Sequence, residues 1–189
     1  PQTAEYHPEI DTGVHTLMSL QQAALLSQDT DVRLAVMLHD LGKGTTPEAE
    51  WPRHIAHEHR GLKLIKAVCQ RLKVPNQHRD LALKVCEFHT HCHRGLELRG
   101  KTILKVLNAT DALRRPDRFE AFLLACEADA RGRLGLEDRA YPQADYLRGA
   151  LELVSSVSAA QFAEQGVSVV ILEACDVGYG GSGRSAHHR

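Results

Sequence analysis

The chain has 189 residues, 43% hydrophobic and 25% charged, a composition that fits a folded domain of ordinary size and excludes a disordered tail or a fibre. Its 23 Lys plus Arg against 24 Asp plus Glu give a formal net charge of −1, so no whole-domain positive field gathers nucleic acid and any RNA contact must be local. No apolar run approaches the roughly 18 residues of a membrane span, residues 1–20 carry no signal-peptide core, and the five cysteines form no C-x-x-C pair. A cytoplasmic protein whose cysteines are mostly small core residues is expected.

Apolar residues recur at spacings of three and four, which predicts an all-α fold of seven to eight helices. A first helix starts after Asp11, with Val14, Leu17, Met18, Gln21 and Leu25 on or near one stripe. A second runs from about Asp31 to Leu41 and stops at Gly42; Asp29-Thr30-Asp31, which matches D-x-D literally, caps it. The stretch from Gly42 to Arg53, with Gly44, Pro47 and Pro52, reads as a loop. Ile55, Leu62, Ile65, Cys69 and Leu72 mark a third helix, and Leu81, Val85 and Phe88 a fourth that begins near Asn76. After a connector at 94–100, a fifth helix carries Ile103, Leu104, Leu107 and Asp111 and ends near Arg115, because Pro116 disfavours helical geometry in the residue before it. Pro116 then opens a sixth helix through Phe119, Phe122, Leu123 and Cys126, and Pro142 a seventh with Leu147, Leu151 and Val154 inward. A weaker eighth helix is expected at 158–165, before an apolar run at 167–172; the low-complexity end from Gly178 reads as disordered or cloning-derived.

Twelve histidines against four Phe, four Tyr and one Trp steer the search for function towards metal or proton chemistry. The central signal is His39-Asp40, followed by Leu41-Gly42-Lys43 at the end of the second helix. Neighbours on a helix point about 100° apart, but at a helix terminus both side chains can reach one ion. Imidazole plus carboxylate with open positions suits Mn, Fe, Co, Ni or Mg rather than a closed structural zinc site. His15 and Asp111, on other helices, are the candidates for the remaining ligands. A metal held this way leaves room for water and a phosphoryl oxygen, which points to hydrolysis of a phosphoester. Lys43 is placed to reach a phosphate as a mobile charge; a solvated lysine in a glycine loop is the plain alternative.

The segments YHPEIDTGVHT, LHDLGKG, WPRHIAH, EFH, ATDALRRP and EADARGR resemble, in order and spacing, the HD domain of bacterial CCA-adding tRNA nucleotidyltransferases. The likeness spans about residues 1–156, and implies an HD-type helical bundle over residues 1–157 with 158–189 as a C-terminal extension. It also implies the pattern H…HD…D on His15, His39, Asp40 and Asp111, a divalent metal (Ni, Co, Mn or Mg), and phosphatase, 2′-nucleotidase and 2′,3′-cyclic phosphodiesterase activity on nucleotides or RNA 3′ ends, tRNA included. The glycine-rich turn and paired aspartates of the family's nucleotidyltransferase head have no counterpart here, so nucleotide addition is not expected.

Of the cluster His54, His57 and His59, the first two share a helix face; His57 is the preferred catalytic group and His54 a phosphate contact. The EFH match selects His89 as a general acid or phosphate contact, whereas His91 and His93 read as solvated residues at a fraying helix end. Arg131 and Arg133 can clamp a phosphate, or pair with Glu127 and Asp129. Arg114, Arg115 and Arg118 read as a solvated turn first and an RNA backbone contact second, and Trp51 as a base stacker or a loop anchor. The competing functional class is an RNA-positioning or homodimerising module with a vestigial metal site; survival of the full ligand set speaks against it.

Overall fold

The computed structural model of the chain describes residues 1–157. Seven α-helices follow in order: α1 (Thr12–Leu26), α2 (Thr30–Leu38), α3 (His57–Arg71), α4 (Asn76–His93), α5 (Gly100–Ala109), α6 (Pro116–Arg131) and α7 (Pro142–Ser156). The described residues contain no strand, so the all-α expectation holds. The expected eighth helix, the apolar run at 167–172, Cys175 and the low-complexity end lie outside them. None of the described helices is long and apolar enough to cross a membrane.

The helix starts obey local capping chemistry. The Asp11 carboxylate accepts from the Val14 amide at 2.8 Å and the Asp29 carboxylate from the Asp31 amide at 2.9 Å, each satisfying an amide that the first turn leaves free. Pro116 and Pro142 stand at the first positions of α6 and α7, where a missing N–H costs nothing. Several boundaries differ from expectation, and α2 ends at Leu38 rather than Leu41. The segment after α2 is not plain loop but holds two 3-10 turns, Leu41–Thr45 and Glu48–Glu50. Helix α5 ends at Ala109, earlier than Pro116 requires, because Asp111 adopts φ +57° and the Ala112 amide turns back to the Leu107 carbonyl at 2.9 Å, a left-handed helix ending.

Helix α4 packs on α2, α3, α5 and α6, while α1 lies across α2 and α6. The core is built from Val32, Ala35, Val36, Ile65, Val85, Cys86, Val106, Leu107, Phe119, Phe122, Leu123 and Leu147. Cys69, Cys86, Cys92 and Cys126 are all buried and free, as small core residues should be.

Helix α1 contradicts its sequence stripe. Val14, Leu17 and Leu25 are 45%, 68% and 76% exposed, and the buried face is His15, Ser19 and Ala23. Its inward face is small because the backbone of Gly132 runs against it: a Cβ on Gly132 would fall on the Ser19 hydroxyl and within 2.5 Å of the Ser19 amide nitrogen. That contact fixes the separation of α1 and the end of α6. Replacing Gly132 by Ala should therefore destabilise the fold by about 1–3 kcal/mol through overpacking, read as a lower urea midpoint. An unchanged midpoint would show that the two helices separate there at no cost.

Candidate metal centre

Close packing of α1, the end of α2 and the end of α6 brings His15, His39, Asp40 and Asp129 together, all nearly excluded from solvent. His15 Nε2 lies 2.9 Å from Asp129 Oδ1 and 3.8 Å from Asp40 Oδ2; His39 Nε2 lies 3.2 Å from Asp40 Oδ2 and 3.5 Å from Asp129 Oδ1. On the other side of Asp40, its Oδ1 lies 3.2 Å from His57 Nε2 and 3.6 Å from His89 Nε2. Three sets of this cluster have donor atoms close enough to share one ion: His15, His39 and Asp40; His39, His89 and Asp129; and Asp40, His57 and His89.

The backbone aims the rings. The Nδ1–H of His15 donates to the Gly132 carbonyl at 3.0 Å, that of His39 to Val36 at 2.6 Å, and that of His57 to His54 at 3.0 Å. His89 Nδ1–H is shared by the Val85 and Cys86 carbonyls at 3.1 and 3.2 Å. With Nδ1 committed as donor, each ring turns Nε2 towards the carboxylates, which is the arrangement of histidines that ligate metal. The donor set passes a second test. His39 Nε2 and Asp40 Oδ1 are buried without a hydrogen-bond partner, a cost that a cation held by this cluster would reduce. These residues fit a divalent ion with mixed nitrogen and oxygen ligands.

Electrostatics in the chain alone agree. Burial would strip the proton from the His39 ring, but Asp40 and Asp129 outweigh it and push its pKa up to about 10. Burial likewise works to raise both carboxyls, yet His39 with Lys43 holds Asp40, and His39 with His93 and His15 holds Asp129, well below the usual carboxylate range. Two carboxylates thus stay ionised in the interior only because positive charge is gathered around them. Burial, with the charge of His39 adding to it, pushes His89 down to about 3 and leaves that ring neutral.

Asp111, expected as the fourth member, does not join the cluster. Its left-handed backbone turns it to a surface groove lined by Leu62, Lys66 and Arg118, where its carboxylate, 38% exposed, pairs with Arg114 at 3.4 Å. Asp129 occupies the place expected of it. The sequence carried that signal: Phe119, Phe122, Cys126 and Asp129, spaced three, four and three, form the buried stripe of α6 with a carboxylate in it.

Other expected residues distribute unevenly. A cavity of about 100 Å³ beside the cluster is lined by His7, Asp40, Lys43, His57, His89, Thr90, His93, Asp129 and Arg133. Lys43 is there but is not mobile: its ammonium is buried, 2.5 Å from Asp40 Oδ2 and 2.5 Å from Gln2 Oε1. Arg133 reaches Asp129 Oδ1 at 4.0 Å. Arg131 instead pairs with Glu127 at 2.7 Å, because it lies two positions round the helix from Asp129. His54 faces away from the cavity: its Nε2–H donates to the Pro1 carbonyl at 2.8 Å and its Nδ1 meets the Thr46 hydroxyl at 2.9 Å, pinning the N-terminal segment. Trp51 is a loop anchor, donating from Nε1 to the Thr46 carbonyl at 3.1 Å, and His59 is exposed. Arg114 and Arg115 serve local pairs with Asp111 and Asp117.

Sequence reasoning missed His7, Glu9 and His93. Glu9 Oε1 stands 3.0 Å from His7 Nδ1 and 3.1 Å from His15 Nδ1, and His93 Nε2 stands 2.6 Å from Asp129 Oδ2. For His93 the signal was its i, i+4 relation to His89, which puts both on the α4 face that meets the cluster. No local signal marked His7, whose place depends on how residues before α1 fold back.

Comparison with known proteins agrees with this geometry. The HD-domain family profile matches residues 12–129, from the start of α1 to Asp129 itself. The chain is 57% identical over 166 residues to a multifunctional CCA protein of Hahella chejuensis, and 61% and 57% identical over the same length to those of Pseudomonas fluorescens and Alkalilimnicola ehrlichii. Each alignment covers 88% of this chain but only 39%, 41% and 40% of the relative, so the chain spans about two fifths of the length of the curated relatives it matches. No solved structure matches it. With the buried His-Asp pair inside the matched stretch, the chain belongs to the HD-domain family.

Proposed function

We propose that the chain is a metal-dependent phosphohydrolase that acts on the phosphate of a nucleotide or an RNA 3′ end, as a phosphomonoesterase and 2′,3′-cyclic phosphodiesterase. The observation that carries this reading is the pair of buried, ionised carboxylates ringed by histidine Nε2 atoms beside a small cavity with cationic walls. His15, His39, Asp40 and Asp129 would hold the ion. A bound divalent ion lowers the pKa of a ligated water and offsets charge on the phosphoryl oxygens. The protein's own contribution is positional: Lys43 and Arg133 present fixed positive charge to the phosphate, and His57, 12% exposed at the rim, faces the attacking or leaving oxygen.

The cavity is far below the roughly 300 Å³ of a pocket that encloses a small organic ligand. It admits a phosphoryl group and leaves the nucleoside outside. Selection would therefore fall on the phosphate and its linkage more than on the base, which suits ends of RNA as well as free nucleotides. The relatives are multifunctional CCA proteins, and tRNA is the RNA this reading favours.

One observation favours a two-ion form of the same reading. His57 Nε2 and His89 Nε2 face each other at 3.5 Å, each with its Nδ1 committed to a backbone carbonyl, so two lone pairs oppose each other beside Asp40 Oδ1. A second ion there would be held by Asp40, His57 and His89, which would change His57 and His89 from groups that act on the phosphate into ligands.

The chain should hydrolyse 2′,3′-cyclic nucleotides or 2′-phosphomonoesters when Ni, Co, Mn or Mg is added, and a chelator should stop it. No turnover with any of these ions, in folded protein that demonstrably binds metal, would turn the reading towards RNA positioning. Metal content separates the one-ion and two-ion forms. With one ion, His57→Ala and His89→Ala keep a single equivalent while kcat drops roughly 100-fold or more; with two, each variant falls from two equivalents towards one.

A further inference from the structure

His93 and Tyr141 have no part in the ligand set or in the phosphate contacts, yet they form a continuous polar path into the centre. His93 Nε2–H donates to Asp129 Oδ2 at 2.6 Å, and Tyr141 Oη stands 2.9 Å from His93 Nδ1. With the Nε2 proton committed to the carboxylate, His93 Nδ1 accepts, and the tyrosine hydroxyl is its donor. Both ring nitrogens are then occupied, which leaves His93 none for substrate although it lines the cavity.

The division of Asp129 is equally clear. Its Oδ1 faces His15 and His39, while its Oδ2 faces His93. Resting on the metal reading above, we infer that His93 and Tyr141 are a positioning pair: they fix the rotation of the Asp129 carboxylate so that one oxygen is held back and the other is offered to the metal. A carboxylate hydrogen-bonded on its far oxygen cannot swing away when the ion leaves, and such outer partners commonly carry 10- to 100-fold in metal affinity or activity.

The brace is itself well supported. Tyr141 immediately precedes α7, its ring 9% exposed, and its Oη also lies 3.4 Å from Cys92 Sγ on α4. The rings of His93 and Tyr141 meet edge to face at 5.8 Å, and the Gln143 amide donates to the His93 carbonyl at 3.1 Å. The beginning of α7 thus grips the last turn of α4 at the residue that holds Asp129. The family profile ends at Asp129, so Tyr141 lies outside the matched stretch. The orientation of a core carboxylate is governed here in part by a residue outside that profile, Tyr141, acting through His93 within it.

Co²⁺ binding to the full chain, followed by titration and by the visible spectrum of the bound ion, tests this. Tyr141→Phe keeps the ring and loses only the hydroxyl; it should weaken Co²⁺ binding about 10-fold and alter the spectrum, with the metal-free unfolding midpoint nearly unchanged. His93→Leu should cost up to about 100-fold, and His93→Gln, which retains an N–H donor, should recover part of that. Wild-type affinity and spectrum in Tyr141→Phe would overturn the inference even if both His93 variants fail to fold. So would a fall in the metal-free midpoint with an unchanged spectrum, which would assign the hydroxyl to stability alone. A wild-type chain that takes up no Co²⁺ would overturn the metal reading and this inference together, whereas equal binding by wild type and variants overturns the positioning role only.

Discussion

Two carboxylates held in the interior within reach of the same histidine are the constraint around which the domain is organised. Asp40 and Asp129 each meet His39 and His15, and both are buried. Such a pair is tolerated only where cations are fixed beside it. The chain gathers partners for it from five directions: His15 from α1, His39 and Lys43 from the end of α2 and the 3-10 turn after it, His57 from α3, His89 and His93 from α4, and Arg133 from beyond α6, with His39, Lys43 and Arg133 carrying the positive charge. Much of the packing serves that convergence. Gly132 lets α6 approach α1 closely enough for its carbonyl to orient His15, and Gly42, where a Cβ would fall on the His57 carbonyl oxygen, lets the turn after His-Asp lie against α3.

The rings are directed by the main chain rather than by other side chains. Four histidines from four helices or helix ends each spend Nδ1 on a backbone carbonyl, so the secondary structure itself sets which nitrogen faces inward. A site aimed in this way loses little conformational entropy when an ion arrives, and it is poorly suited to large rearrangement. On the proposed function, a substrate would enter with its phosphate foremost, because the cavity lined by Lys43, His57 and Arg133 holds only about 100 Å³.

Most of this architecture was legible in the sequence, and the exceptions have physical causes. Proline positions, aspartate caps and the apolar stripes of α4, α6 and α7 placed those helices within a residue or two. His15, His39 and Asp40 were found because a His-Asp pair at a helix end is chemically distinctive. The α1 stripe misled because its partner is a glycine backbone, which asks for small residues where periodicity looks for large ones. Asp111 misled because a left-handed helix ending turns an aspartate outward, something spacing alone does not reveal. Asp129 was overlooked in a motif whose arginines drew attention, though its place on the buried stripe of α6 was in plain view. Lys43 reads as a mobile charge and His54 as a phosphate contact, but Gln2 and Pro1 fold back on them, which holds Lys43 in place beside the cavity and keeps His54 out of it, a long-range contact with no local signature.

The central claim is that a divalent ion is held by His15, His39, Asp40 and Asp129, with Asp111 uninvolved. Equilibrium binding of Mn²⁺ or Ni²⁺ to wild type, Asp129→Asn and Asp111→Asn tests it most directly. The account predicts that Asp129→Asn loses binding by 100-fold or more, on the order expected when a ligand rather than an outer partner is removed, while Asp111→Asn binds as wild type does. Loss of binding in Asp111→Asn with retention in Asp129→Asn would contradict it.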